Sequence, residues 1–386
     1  MRNTISVKPE LIRWAIKRSG LAFADLAANV PHLADWQSGK KEPTLRQLED
    51  FAKRTTTPLG YFFLSVPPVE KLAIPDFRTM DDSVPERPSP NLLDTLYDMQ
   101  RRQHWMRDYL IEQGHEELPF VGSARMSRPI ESVAVSIREA LGLDGDWAEQ
   151  CRSWEDALRK LRAAIEDIEI MVAASGVVGL NNTRALDPDE FRGFVLSDRH
   201  APLIFVNAAD SKSAQMFTLA HELAHVWVGK DGVFNLINTM PASDEVEEFC
   251  NHVAAEFLVP ADNFRTHWPG VKDATNPFKK LAGSFKVSPI VVARRALDMD
   301  LIDRARFYAF YAQNQLEWRK NKETKESSGG NFYATQNIRL GRRFSLAVVQ
   351  AAREGKLLYR DAYQLTGLRG KTFERYAAQV IQPSKV

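Results

Sequence analysis

The sequence predicts an α+β protein with a helical amino-terminal unit, a central part mixing helices with a few strands, and a small helical unit at the carboxy end. Three observations predict it. Residues 9–64 carry apolar side chains at helical spacing, cut into short pieces at Gly20, Pro31 and Gly39. Segments 168–173, 191–196 and 203–206 are short runs rich in Val, Ile, Phe and Leu and read as strands. The apolar pattern after them is mostly helical.

At 386 residues the chain is too long for one typical core. The divisions expected are 1–67, a helical unit; 68–125, a proline-rich linker and a connecting helix; 126–318, the α+β part; and 319–386, a charged linker followed by a small basic helical unit. Hydrophobic residues at 44% and charged residues at 26% are ordinary for a soluble globular protein. Cys151 and Cys250 match no zinc-finger or CxxC spacing, which argues against a disulfide framework and fits a reducing cytosol. The first twenty residues hold five Lys/Arg and no apolar run, and no stretch is long enough to span a bilayer. A cytoplasmic protein with no membrane partner is expected.

Charge is unevenly spread. Residues 1–67 have a net charge of +4 and residues 331–386 of +7, so the middle carries −10 within a total of +1. Basic ends around an acidic middle are expected where the ends meet a polyanion.

In the first unit, Leu11, Ile12, Trp14, Ala15 and Ile16 make a helix ending near Gly20. A second helix runs over 23–29, a third passes through Leu33 and Trp36 to Gly39, and a fourth opens at Pro43-Thr44. Short helices joined by tight turns describe a helix-turn-helix. Trp36-Gln-Ser-Gly-Lys40 and Pro43-Thr-Leu resemble the XRE class of DNA-binding domain. The resemblance implies that the third helix meets double-stranded DNA, with His32, Gln37, Ser38, Lys40 and Lys41 as the candidate contacts. Leu33, Ala34 and Trp36 are apolar there, and Asp35 would repel phosphate. A domain kept for protein contacts is the competing reading. Such domains commonly act as dimers, so a homodimer is one arrangement to test.

Ser89-Pro90 has the look of a helix start, and the helix it opens should end at Gly114. Further helices are expected at 129–141 and 153–167. Residues 319–330 are charged, free of large apolar residues and end in two glycines, so they read as a linker.

The chemistry lies in His221-Glu-Leu-Ala-His225, on a helix capped by Asp210 or Ser211 and running to about Gly229. Histidines four apart project from one face a turn apart, which suits two adjacent positions on a tetrahedral ion. Glu222, about 100° around the helix, can act as general base. A catalytic zinc also needs a third ligand and an open position. In the segment 244–260, Val246, Phe249, Cys250, Val253, Ala254 and Phe257 make the buried stripe, with Glu247 and Asn251 at its edge. Glu247 could ligate while Asn251 hydrogen-bonds a ligand histidine. Asp244, Glu248, Cys250 and His252 compete for the third position, with solvation or packing as their ordinary roles.

Thr218-Leu-Ala-His-Glu-Leu-Ala-His225 followed by Glu-Glu-Phe-Cys-Asn-His-Val-Ala-Ala-Glu-Phe-Leu-Val-Pro resembles the ImmA/IrrE metallopeptidases. The segments Phe191-Arg-Gly-Phe and Pro202-Leu-Ile-Phe-Val-Asn207 are similar to the strands before that family's active helix. The resemblance covers about residues 165–262. It implies a zincin-like central domain of the gluzincin kind, with Zn2+ held by His221, His225 and Glu247 and with Glu222 as base. It also implies a protein substrate, typically a transcriptional repressor, that the helix-turn-helix would help to reach. Tyr333 and Arg192 are candidates for steadying the oxyanion. The alternative is a DNA-binding regulator whose metalloprotease-like domain senses without catalysis.

Overall fold

The computed structural model describes residues 4–70, 88–234, 245–322 and 332–381. Described residues 4–70 and 88–96 make one compact unit, and those from Tyr97 onward make a second.

The first unit begins with α1 (Pro9–Ser19), α2 (Phe23–Asn29), α3 (Leu33–Ser38) and α4 (Leu45–Arg54), then a 3-10 turn over Leu59–Phe63. The helices are short because the sequence stops them: Gly20 and Gly39 end α1 and α3 in the left-handed conformation. Thr44 and Gln47 form a reciprocal capping box that starts α4. Leu11, Leu26, Leu33, Trp36, Leu48, Phe51 and Phe62 close a small core of their own.

α5 (Pro90–Glu112) crosses from the first unit into the second. Its buried Gln103 donates to the carbonyls of Leu196 and Ala201, 2.8 and 3.1 Å away, satisfying the turn between two strands. Then come α6 (Ile130–Leu141), α7 (Trp154–Asp167), β1 (Met171–Ser175), β2 (Gly193–Leu196), β3 (Leu203–Asn207), α8 (Lys212–Val228), β4 (Gly232–Phe234) and α9 (Glu245–Leu258). The fold class is α+β: a mostly helical chain around one small sheet, ordered β1-β3-β2-β4. β1 runs parallel to β3, and β2 is antiparallel to both β3 and β4.

β1 starts three residues later than the sequence predicts. The amides of Ile168, Glu169 and Ile170 still pair with carbonyls of α7, and Glu169 turns the chain at φ 76°. β4, in a segment with no strand pattern, is recruited by pairing with β2.

Alternation sorts the strand side chains. Val172, Ala174, Val195, Ile204 and Val206 join the main core with α8, while Phe194 and Phe205 stack 4.9 Å apart on the other face. α8 rests on β2 and β3, with α7 and α9 against it. Every residue of α8 from Gln215 to Trp227 is buried, so this is a core helix rather than an amphipathic one. Ser211 caps it, accepting from the Ala214 amide at 3.2 Å.

The chain continues through α10 (Ala261–His267), α11 (Pro277–Phe285), α12 (Pro289–Asp298) and α13 (Arg304–Lys322). α13 extends into the expected linker, so the linker reading fails for residues 319–322; residues 323–331 lie outside the described ones. Last come α14 (Phe332–Leu340), α15 (Arg342–Arg353), α16 (Tyr359–Thr366) and α17 (Gly370–Ile381). α14 packs beside β1. The Arg342 amide donates to Glu166 at 2.6 Å, and Arg343 pairs with Glu169 at 3.0 Å, anchoring the junction of α14 and α15 to the end of α7. No described helix is long and apolar enough to cross a membrane.

Candidate metal centre

α8 and α9 bring three donors together. The Nε2 atoms of His221 and His225 lie 3.1 Å apart. Glu247, from α9, places Oε2 3.2 Å from the first and Oε1 3.0 Å from the second. His221, His225 and Glu247 are 0%, 1% and 5% exposed, which removes water as the competing ligand shell. Each of the three side chains thus has a donor atom within 3.2 Å of both of the others, a gathering that suits ligands around one small cation. Among the described residues, the group that could hold a metal ion is this one.

Ionisation suits a cation. Burial lowers the His221 pKa, outweighing the opposing pull of Glu247, and so keeps the ring neutral with a lone pair to give. Burial pushes Glu247 upward, but His221 and His225, which hydrogen-bond to it, hold it down at about 2. Asn251 acts on His221 as a hydrogen-bond partner from the following turn of α9 and raises its basicity.

Glu222 is different. It is fully buried, and neither carboxylate oxygen has a hydrogen-bond partner among the described residues. Burial first, and the Glu247 charge second, push its pKa well above the ordinary carboxylate range. A buried carboxylate with no partner of its own is a proton acceptor.

One residue that sequence reasoning passed over shapes this pocket. Gly193 points at α8 from β2: a Cβ there would stand 2.5 Å from Thr218 Cγ2, 2.8 Å from the Phe205 carbonyl and 3.2 Å from Glu222 Oε1. Only glycine lets the strand approach the helix this closely. The signal was present, since glycine inside a strand pattern marks a close approach of backbone.

The competing donors on α9 are directed elsewhere. His252 faces Glu248 at 3.7 Å, Cys250 is packed in the core and Glu248 is exposed; Asp244 lies outside the described residues. Arg192 is not brought to the donors. It lies in the bend just before β2 and pairs with Asp210 at 3.3 Å. Tyr333 falls in the first turn of α14, and its side chain is outside the described residues. Of the candidate DNA contacts, His32, Ser38, Lys40 and Lys41 are exposed and Gln37 is half-buried. His32 touches Lys41 Nζ at 3.1 Å and Asp35 at 3.4 Å, so part of that set is engaged internally.

A buried pair of histidines, a carboxylate from a following helix and an unpartnered glutamate beside them define a metallopeptidase-type centre. Residues 182–297 match the peptidase family M78, described as the IrrE N-terminal-like domain, which supports an ImmA/IrrE type for that stretch. A peptidase domain implies a protein substrate, and a metallopeptidase implies a metal ion. Residues 340–379 match a domain of unknown function. No curated protein matches the chain.

Proposed function

We propose that this chain is a zinc-dependent endopeptidase that cleaves a regulatory protein, a transcriptional repressor foremost. In this reading His221, His225 and Glu247 hold the zinc, Asn251 orients His221, and Glu222 is the general base. The observation that carries it is the closure of three donors from α8 and α9 to within 3.2 Å beside a desolvated Glu222. Two imidazoles from one helix and a carboxylate from the next form a gluzincin donor set, three protein ligands rather than four, which supports a catalytic rather than a structural ion.

When bound, the ion would supply Lewis acidity to the scissile carbonyl and to a water molecule. Glu222 takes the proton of the attacking water at a carboxylate oxygen and hands it to the leaving amide nitrogen. Its raised pKa lets it hold that proton between the two transfers. The burial of the helix around it keeps competing water away from the carboxylate.

The first unit, read as an XRE-like helix-turn-helix, would bring the peptidase to double-stranded DNA where such a repressor sits. Support for this is the exposure of Ser38, Lys40 and Lys41 at the end of α3 together with the net charge of +4 over residues 1–67. The enclosure of Glu222, 0% exposed, favours a second reading, a DNA-binding regulator whose metal domain senses without cleaving.

Glu222→Gln separates the two. Source-cell lysate is treated with zinc-loaded chain or with the variant, and new protein amino termini are counted by mass spectrometry. The expected outcome is loss of cleavage by about 10²–10⁴-fold with zinc content unchanged. Equal cleavage by the variant removes Glu222 as the base, and no cleavage by either protein leaves the sensing reading in its place.

A further inference from the structure

The carboxy-terminal unit has a function of its own to explain. Residues 340–379 carry eight Lys/Arg against three Asp/Glu, and the metal centre uses none of them. α15, α16 and α17 form a three-helix unit in which α15 packs on both of its companions. Val348, Leu365, Leu368, Phe373 and Tyr376 are buried in it, and Phe344 packs edge-on against Trp105 of α5. The Tyr376 hydroxyl and Ser345 Oγ meet at 2.6 Å, tying α17 to α15.

The link between α16 and α17 is three residues, Gly367-Leu-Arg369, between helices of eight and twelve residues. Gly367 takes φ 73° there, a conformation that glycine adopts without strain. Leu368, next in the turn, is buried and anchors it to the core. A short helix, a glycine turn and a longer helix, braced by a third helix, is the arrangement that sets a recognition helix into a major groove.

The outer face of α17 fits that task. Lys371, Arg375 and Gln379 recur every fourth residue and are exposed, with Arg369 in the turn before them, half-buried Thr372 beside Lys371 and one exposed carboxylate, Glu374, between the two cations. Arg369, Lys371 and Arg375 have no carboxylate partner among the described residues. Cations left without partners on one face meet phosphates, and Thr, Gln and Arg between them offer hydrogen bonds to base edges. Three cations against the single Glu374, spread along the turn and α17, suit the periodic charge of a duplex.

We propose that α15–α17 is a second helix-turn-helix that binds duplex DNA through α17, with Arg369, Lys371 and Arg375 on the phosphates and Thr372 and Gln379 turned to the bases. The site is independent of the peptidase reading, because binding to it involves neither Glu222 nor the metal.

The test uses full-length Glu222→Gln chain, so that cleavage plays no part, and fluorescence anisotropy with a labelled 30-base-pair duplex of mixed sequence across a salt series. Reversal at Arg369→Glu, Lys371→Glu and Arg375→Glu is expected to weaken binding at least tenfold. It should also flatten the slope of log affinity against log salt by about 2 to 3, roughly 0.9 for each phosphate no longer neutralised. Lys40→Glu with Lys41→Glu, at the opposite end of the chain, should leave that difference in place. A melting curve and circular dichroism verify that each variant folds, with Lys371→Ala and Arg375→Ala as the milder pair where reversal unfolds the unit. Unchanged affinity and slope in a folded variant overturn the proposal. So does equal affinity for a 30-nucleotide single strand, which has no groove to enter.

Discussion

The buried centre of the molecule and its exposed helical ends do chemistry in opposite ways. On α8 and α9 the working atoms are almost fully enclosed and lie 3.0–3.2 Å apart, so their function depends on geometry held by packing. On α3 and α17 the groups proposed to meet DNA lie on the surface, where what matters is which charges remain without partners. α3 has six residues, contains Asp35 and lets His32 engage both Asp35 and Lys41. α17 has twelve residues and presents Lys371 and Arg375 without carboxylate partners among the described residues. A sequence-level count of charge rates both ends as basic. The structure distinguishes an end whose charges partly neutralise one another from an end whose charges face outward.

The contrast predicts that small changes at the centre cost much and similar changes at the ends cost little. The largest effect is expected from Glu247→Ala. Zinc content by mass spectrometry should fall from about one per chain toward none, and the stabilisation that added zinc gives should vanish. Because bound zinc at a thousand times its dissociation constant contributes about 4 kcal/mol, thermal melts with and without zinc resolve the loss easily. Full retention of zinc would falsify the donor set.

Gly193→Ala comes next. A methyl group 2.5 Å from Thr218 Cγ2 and 2.8 Å from a backbone carbonyl must displace β2 or α8. A cost of about 1–3 kcal/mol in urea unfolding is expected, with a larger loss of cleavage because Glu222 shifts with the helix. Unchanged stability and activity would mean that strand and helix do not constrain each other.

The smallest effect belongs to the carboxy-terminal end. Burial raises the Tyr376 hydroxyl to about 12 from an ordinary 10, while its hydrogen bond with Ser345 works in the opposite direction. A raised folded pKa contributes stability that is fully present below pH 10 and is lost as pH rises toward 12. Unfolding measurements should show about 1 kcal/mol lost by pH 11, and Tyr376→Phe should abolish that dependence. The same slope in the Phe variant would move the cause elsewhere.

Much of this was legible in the residues. The second helix lies at 23–29, where glycine and proline punctuation set it, because local signals alone decide such a helix. The stripe Val246, Phe249, Cys250, Val253, Ala254 and Phe257 is buried as its periodicity demands. β1, β4 and the end of α13 were less legible, each for a local reason. Helix-type hydrogen bonds persist past α7, β4 exists through its partner strand, and the charged residues 319–322 continue α13 because nothing in them breaks a helix. The recognition-like face of α17 was visible only as excess charge, since periodicity does not say which cations find partners.

By itself the sequence determined the α+β class, the helix that carries His221, Glu222 and His225, and the face of α9 that carries Glu247 and Asn251. All of these follow from spacing along a regular element, which covalent geometry enforces without reference to neighbours. The tertiary structure alone decided that those two faces meet, that Gly193 lets β2 close over Glu222, and that Arg192 pairs with Asp210. It also decided that α15–α17 assemble with one charged face outward. Meetings between distant elements are set by how the whole apolar surface buries itself, and no local pattern encodes that balance.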